Sequence, residues 1–311
     1  MLNNLLAAIL MLLPVVATFF GIRKFIREIR KPARSYAFNR KDIEKLTVYL
    51  NKAAFQELED TLKALSPEDL TLALDNLSLT SNEKQILKIK NKSNQSPVFE
   101  LLHGIWHLHE AWKKRGHSLA SDLTEKQVQQ FIDHLKSACQ CIETALIDSK
   151  LSVEAHSRLI RAYMSMGYGD TAKEHFHQAI AANPKHFWSY IHYAELIQSK
   201  WFGSEEEVRN FYKKLPQNDA IKMGVKLKLL NDGILTEENY FDIFGEHLDE
   251  EIDKILNGID AELAYKTLPT TALYLIFGYI YVLCPTENKG LRKKYEKLIR
   301  GNYALYPFGY L

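Results

Sequence analysis

The sequence predicts an all-α protein, an α-solenoid of stacked helix pairs behind one N-terminal transmembrane helix, on three observations. Apolar residues recur at three- and four-residue spacing along most of the chain rather than at alternating positions. Only 14 glycines and 9 prolines punctuate 311 residues, too few for many short strands and their turns. The first 22 residues contain a long uncharged apolar run.

That run, Leu5 to Ile22, is 18 residues long and reads LLAAILMLLPVVATFFGI. At a helical rise of about 1.5 Å per residue it spans about 27 Å, close to the hydrocarbon thickness of a bilayer. Pro14 inside it is tolerated, because proline is common in membrane helices. No basic residue precedes the run, whereas Arg23, Lys24, Arg27, Arg30, Lys31 and Arg34 follow it, opposed only by Glu28. Positive charge stays on the cytoplasmic side, so residues 1–22 read as an anchor and the bulk of the chain as cytoplasmic. The alternative is a cleaved signal peptide with Val15-Val16-Ala17 at the cleavage point, which would place the body in the periplasm. The basic segment, residues 23–41, also carries Phe25, Ile26 and Ile29, as an amphipathic strip on an anionic leaflet would.

Composition narrows the function classes. With 40 basic and 38 acidic residues the net charge is +2, so the chain lacks the electrostatic footprint of a nucleic-acid binder. Cys139, Cys141 and Cys284 form neither a disulfide framework nor a zinc knuckle and read as free thiols. No phosphate-binding loop, dinucleotide glycine motif, nucleophile elbow or ordered Ser-His-Asp set is present. No cofactor and no small-molecule substrate are expected.

Residues 42–97 read as a small helical region with a linker. Ile43, Leu46, Tyr49, Leu50, Ala53, Ala54 and Leu58 mark one amphipathic helix or two between Asp42 and Leu65. Ser66-Pro67-Glu68-Asp69 supplies an N-cap, a proline in the first helical position and acids in the first turn. The polar stretch 78–97 reads as a short helix ending in NKSNQSP.

The main domain spans 98–216. On the helix from Val98 to about Lys114, Phe99, Leu101, Leu102, Ile105, Trp106, Leu108 and Trp112 share one half of the wheel. Glu100, His103, His107 and Glu110 share the other half, and two histidines at i and i+4 beside carboxylates have the shape of a metal site. The carboxylate base of an HEXXH motif is missing, since Gly-Ile-Trp lies between the histidines, so the set reads as a solvated stripe. His109, among the apolar residues, reads as a hydrogen-bonded core histidine.

Between Val153 and Pro184, Leu159, Tyr163, Ala172, Phe176, Ala179 and Pro184 fall in order on the large, aromatic, small, aromatic, small and proline slots of a 34-residue helix pair. The small residues let two helices approach, the aromatics fill between them, and the proline ends the unit. This pattern resembles a tetratricopeptide repeat, with His156 in the usual tryptophan slot and Ile160 in the usual glycine slot. Ala138, Ile142 and Ala145 upstream, and Tyr190, Tyr193, Ala194 and Ile197 downstream, carry the same register, so three stacked pairs are expected. Ser204 and Glu207 then open a further amphipathic helix at capping-box spacing.

The succession Trp112-Lys113-Lys114-Arg115-Gly116-His117, Phe131 to Ala145, the repeat, Asn183-Pro184-Lys185-His186 and Lys200-Trp201-Phe202-Gly203-Ser204 resembles a bacterial domain-of-unknown-function family. That family has tetratricopeptide-like repeats and a K-W-x-G-S signature. The resemblance covers roughly residues 51–215; Phe202 departs from it, since the family tends to have glycine there. It implies the fold and a bacterial source, and no activity; the inner-membrane setting is expected from the apolar run and its basic flank.

In such a solenoid the first helices line an inner groove, which nominates Glu154, Ser157, Arg161, Ser165, Trp188, Glu195 and Gln198 as contacts for a protein or peptide partner. Trp188 packing on the preceding pair is the alternative. Residues 217–311 read as a helical extension with breaks at Asp232-Gly233 and Asn257-Gly258. The apolar run 268–284 reads as a buried core helix, too short to span a bilayer, and the aromatic tail from Tyr303 as docked on the last helices. The functional expectation is a membrane-anchored interaction scaffold without catalysis. The alternatives are a metal-dependent enzyme using the Glu100, His103, His107 and Glu110 face, or an exported repeat protein.

Overall fold

A computed structural model describes residues 36–38, 40–93, 96–116, 120–236, 270–283 and 289–299. The predicted anchor 1–22, residues 23–35 and 39 of the basic segment, the break at Asn257-Gly258, Cys284 and the aromatic tail lie outside the described residues. Every regular element among the described residues is helical: thirteen α-helices and two short 3-10 turns. None of these helices is long and apolar enough to cross a membrane.

The first four helices are α1 (Lys41–Lys52), α2 (Phe55–Ala64), α3 (Pro67–Thr80) and α4 (Glu83–Lys92). Ala53 separates α1 from α2 by taking a left-handed conformation, φ 51°, from which its N–H and that of Ala54 close onto Leu50 and Tyr49 carbonyls. This is the capping pattern of a helix that ends by reversal. Ser66 caps α3 by accepting from the Asp69 N–H at 3.2 Å, and Asn82 and Gln85 form a reciprocal capping box on α4.

Two long hairpins follow. Helix α5 (Pro97–Arg115) pairs with α6 (Glu125–Thr144), and α7 (Ser152–Ser165) pairs with α8 (Gly169–Ala182). Gly104 permits the close approach of α5 to α6: a Cβ there would meet Ile142 Cγ1 at 2.5 Å and the Ala138 carbonyl oxygen at 3.0 Å. Ala172 and Ala179 of α8 are fully buried. Phe176 stacks on Tyr193 of α9 (Phe187–Leu196) with ring centroids 3.8 Å apart and the rings nearly parallel. The remaining helices are α10 (Glu205–Lys213), α11 (Asp219–Thr236), α12 (Thr270–Leu283) and α13 (Lys289–Ile299).

The lateral packing runs in a circuit. Helix α7 packs on α9, α9 on α11, α11 on α12, α12 on α3, and α3 on both α5 and α7. Phe38, just before α1, stacks on Tyr274 of α12 at 4.5 Å, and the Arg40 Nη1 donates to Thr270 Oγ1 at 3.3 Å. Buried residues from α1 through α13 belong to one apolar core, so residues 42–97 and the C-terminal helices share it with the hairpins.

Two expectations are corrected here. The Asp232-Gly233 pair does not interrupt a helix: α11 runs through it, because Asp232 is held by Lys228 one turn earlier at 2.9 Å and by Gln198, just after α9, at 2.7 Å. The polar face of α5 is not solvated, since Glu100 and His103 are buried beneath α4 and α6. The apolar run becomes α12, with Ala272, Leu275, Ile276, Tyr279 and Ile280 buried.

Candidate functional site

Most of the nominated groove residues lie inside the protein; Ser165 and Glu195 are half-buried. Glu154, Arg161, Trp188 and Gln198 are all buried, at 2%, 7%, 6% and 0% exposure, and the Glu195 side chain retains 13%. Ser157 is fully buried as well. The physical reason is that α3 and α11 occupy the inner face and bring partners for its charges. Glu154 Oε2 accepts from Thr71 Oγ1 at 2.5 Å, and its Oε1 accepts from Arg158 Nε at 2.6 Å. Arg158 Nη1 reaches Asp75 Oδ1 at 2.8 Å. On the next turn of the circuit, Lys228 Nζ lies 3.5 Å from Glu195 and 2.9 Å from Asp232. The Arg161 guanidinium sits over the Trp112 ring, 4.8 Å from its centroid. His109 is a buried core histidine, with Nδ1 3.0 Å from Ser78 Oγ and Nε2 3.3 Å from Asp75.

Charge balance keeps this interior ionised. Burial alone would raise the pKa of Asp75 and Glu154, but the Arg158 cation beside both, with His109 on Asp75 and His186 on Glu154, holds each down at about 2. Burial likewise opposes the Arg158 charge, and the two carboxylates raise its pKa above the ordinary value. An internal network of this kind, with every carboxylate matched, fixes which helices meet.

A different arrangement occupies the junction of α4, α5 and α6. His103 and His107, one turn apart on α5, have ring centroids 4.5 Å apart. His134 of α6 faces them, with its Nδ1 2.9 Å from His107 Nδ1. Cys141, two turns further along α6, brings its Sγ to 3.7 Å from His103 Nδ1. Lys90 of α4 pairs with Glu100 at 2.8 Å and approaches His103 Nδ1 at 3.4 Å. Glu83, at the first turn of α4, places Oε1 3.7 Å from His103 Nε2. His103, His107, Lys90, Glu100 and Cys141, with Ser137 and Gln140, border a cleft of about 420 Å³.

Burial disfavours a second positive charge here. Desolvation, then the His103 and His134 rings, push His107 down to about 3, and desolvation with Lys90 lowers His103. Both are therefore neutral imidazoles at neutral pH, the form that ligates metals or exchanges protons. Burial raises the Cys141 thiol. Of the four residues in the predicted polar set, the structure brings together Glu100, His103 and His107; Glu110 instead pairs with Lys113 at 2.6 Å. Sequence reasoning missed Glu83, His134 and Cys141. A signal for the last two was available: seven residues apart on one helix, they differ by about 20° around its axis.

No family model, curated protein or solved structure matches the chain.

Proposed function

We propose that this chain is a membrane-anchored helical-repeat protein, of tetratricopeptide-like construction, that acts as an interaction scaffold for a protein partner. The observation that carries the reading is the packing of consecutive hairpins: the fully buried small slots Ala172 and Ala179, the aromatic Phe176 stacked on Tyr193 of the next unit, and Ala138, Ile142 and Ala145 buried in the preceding one. Repeats stacked in this way serve chiefly as binding surfaces. The apolar run at 5–22 and the basic residues after it support an inner-membrane tether with the body in the cytoplasm.

The partner surface in this proposal is not the inner face, whose charges are already matched internally. It is the edge formed by the hairpin tips. Tyr168, in the turn from α7 to α8, is 58% exposed, and Phe202, in the turn before α10, is 37% exposed. They are neighbours through Gly169, whose Cα lies so close to the Phe202 ring that a Cβ would meet its Cγ. Adjacent exposed aromatics on rigid turns suit protein contact. A photocrosslinking amino acid at Tyr168 or Phe202, introduced in cells, is expected to give a discrete protein adduct, with none from the buried Trp188. Absence of any discrete adduct from both tips, in protein that remains folded, overturns the scaffold reading.

A further inference from the structure

We infer that the junction of α4, α5 and α6 is a binding site for a divalent transition metal of the zinc class, ligated by Glu83, His103 and His107, with His134 orienting His107. Glu83, His103 and His107 each offer one ligand atom within 4.8 Å of the other two. Around a tetrahedral zinc, neighbouring ligand atoms lie about 3.3 Å apart, given bonds of about 2.0–2.1 Å. The Glu83 to His103 separation, 3.7 Å, is near that already, and the Glu83 side chain is 45% exposed and able to move inward.

Three features argue for a ligand and against a packing accident. His103 Nε2 is buried and has no hydrogen-bond partner, although the residue is only 7% exposed. A buried polar atom without a partner costs about 1–3 kcal/mol, and coordination would remove that penalty. The other nitrogen of each imidazole faces a group able to accept its N–H: His103 Nδ1 lies 3.7 Å from the Cys141 sulfur and His107 Nδ1 2.9 Å from His134 Nδ1. Metal-binding histidines are arranged in this way, with one nitrogen on the ion and the other fixed by a second group. Finally, the charges suit a cation. Lys90 is matched by Glu100 at 2.8 Å, which leaves the Glu83 carboxylate to offset the incoming ion.

Two imidazoles and one carboxylate select a zinc-class ion over calcium or magnesium, which demand oxygen ligands. Three protein ligands leave a fourth position, and two of them, His103 and His107, border the cleft of about 420 Å³. The Cys141 thiol stays on the far side of the His103 ring as an orienting group.

Full-length protein in detergent, titrated with Co²⁺ as a spectroscopic probe, tests this. One saturable set of visible ligand-field bands per chain is expected, displaced by Zn²⁺. Glu83→Gln, at an exposed position where folding is not at stake, and His103→Gln each weaken binding by about ten-fold or more; His134→Gln weakens it by about ten-fold through loss of orientation. Cys141→Ser keeps the spectrum. The inference is overturned by the absence of saturable bands, by wild-type affinity in Glu83→Gln, or by a thiolate charge-transfer band that disappears in Cys141→Ser. No partner protein enters the experiment, so its outcome is independent of the scaffold proposal.

Discussion

Replacing Arg158 by methionine removes the one cation shared by two buried carboxylates and retains most of the side-chain volume. Arg158 is 4% exposed and lies 2.6 Å from Glu154 and 2.8 Å from Asp75. Both carboxyls sit at about 2 in the folded protein, against ordinary values of 3.8 and 4.5. At about 1.36 kcal/mol per pKa unit, those depressions correspond to about 2 and about 3 kcal/mol of stability at neutral pH. The two share a single cation, and His109, His186 and Thr71 remain after its removal. The expected loss for Arg158→Met is therefore about 3–5 kcal/mol at pH 7, the range for one partner lost from a buried ion pair. The sign with pH follows. In the wild type the depressed carboxyls contribute stability above their unfolded pKa values, and that stability is lost as pH falls from about 4.5 towards about 2. In the variant the carboxyls are raised, so protonation relieves them and stability is gained as pH falls. Urea unfolding followed by far-UV circular dichroism, in one detergent at pH 7 and pH 3, should show a gap between the proteins that shrinks on acidification. A gap below about 1 kcal/mol at pH 7, or one unchanged at pH 3, would refute the reasoning.

Three further outcomes are expected. Gly203→Ala should destabilise by about 1–3 kcal/mol or prevent folding, because a Cβ at Gly203 would lie 2.0 Å from the Ile197 carbonyl oxygen and backbone must move; the urea midpoint reads this directly. Ser66→Ala should lower stability by about 1 kcal/mol through loss of the cap on Asp69, with the denaturant slope unchanged. For the proposed topology, a cysteine replacing Ser35 in a cysteine-free chain should escape a membrane-impermeant maleimide in intact cells and react after lysis; labelling before lysis would place the body outside.

The hairpins were legible because their signals are local. The apolar periodicity of Val98 to Lys114, the cap at Ser66 and the small and aromatic slots from Leu159 to Pro184 each lie within about one helix pair, and α3, α5, α7 and α8 follow them. What fills the inner face was not legible. Thr71 and Asp75 meet Glu154 and Arg158 across about eighty residues, and no spacing rule connects them. The polar first-helix residues Glu154, Arg161 and Gln198 therefore read as an open groove when they are an interior. Asp232-Gly233 misled for a related reason: its turn propensity is overridden by Lys228 and Gln198, which the local sequence does not reveal. At the histidine cleft, His103 and His107 stood out by spacing, whereas their surroundings depend on α4 and α6 meeting α5.

The contact of α12 with α3 bears on when the protein becomes itself. Phe38 stacks on Tyr274 and Arg40 reaches Thr270, so the first described residues are completed by ones more than 200 positions later. Translation delivers the N-terminal end first and the closing helix more than 200 residues later. Until α12 arrives, the face of α3 that it covers stays exposed on the nascent chain. The hairpins can form from local contacts within that interval, but the circuit cannot, and such long-range closure is the slow kind. A chain cut short before Thr270 thus loses more than one helix: it leaves α3, with its buried-charge network, at an unsealed edge. Unlike an open array that can gain or lose terminal units singly, this body is closed only once α12 has been made.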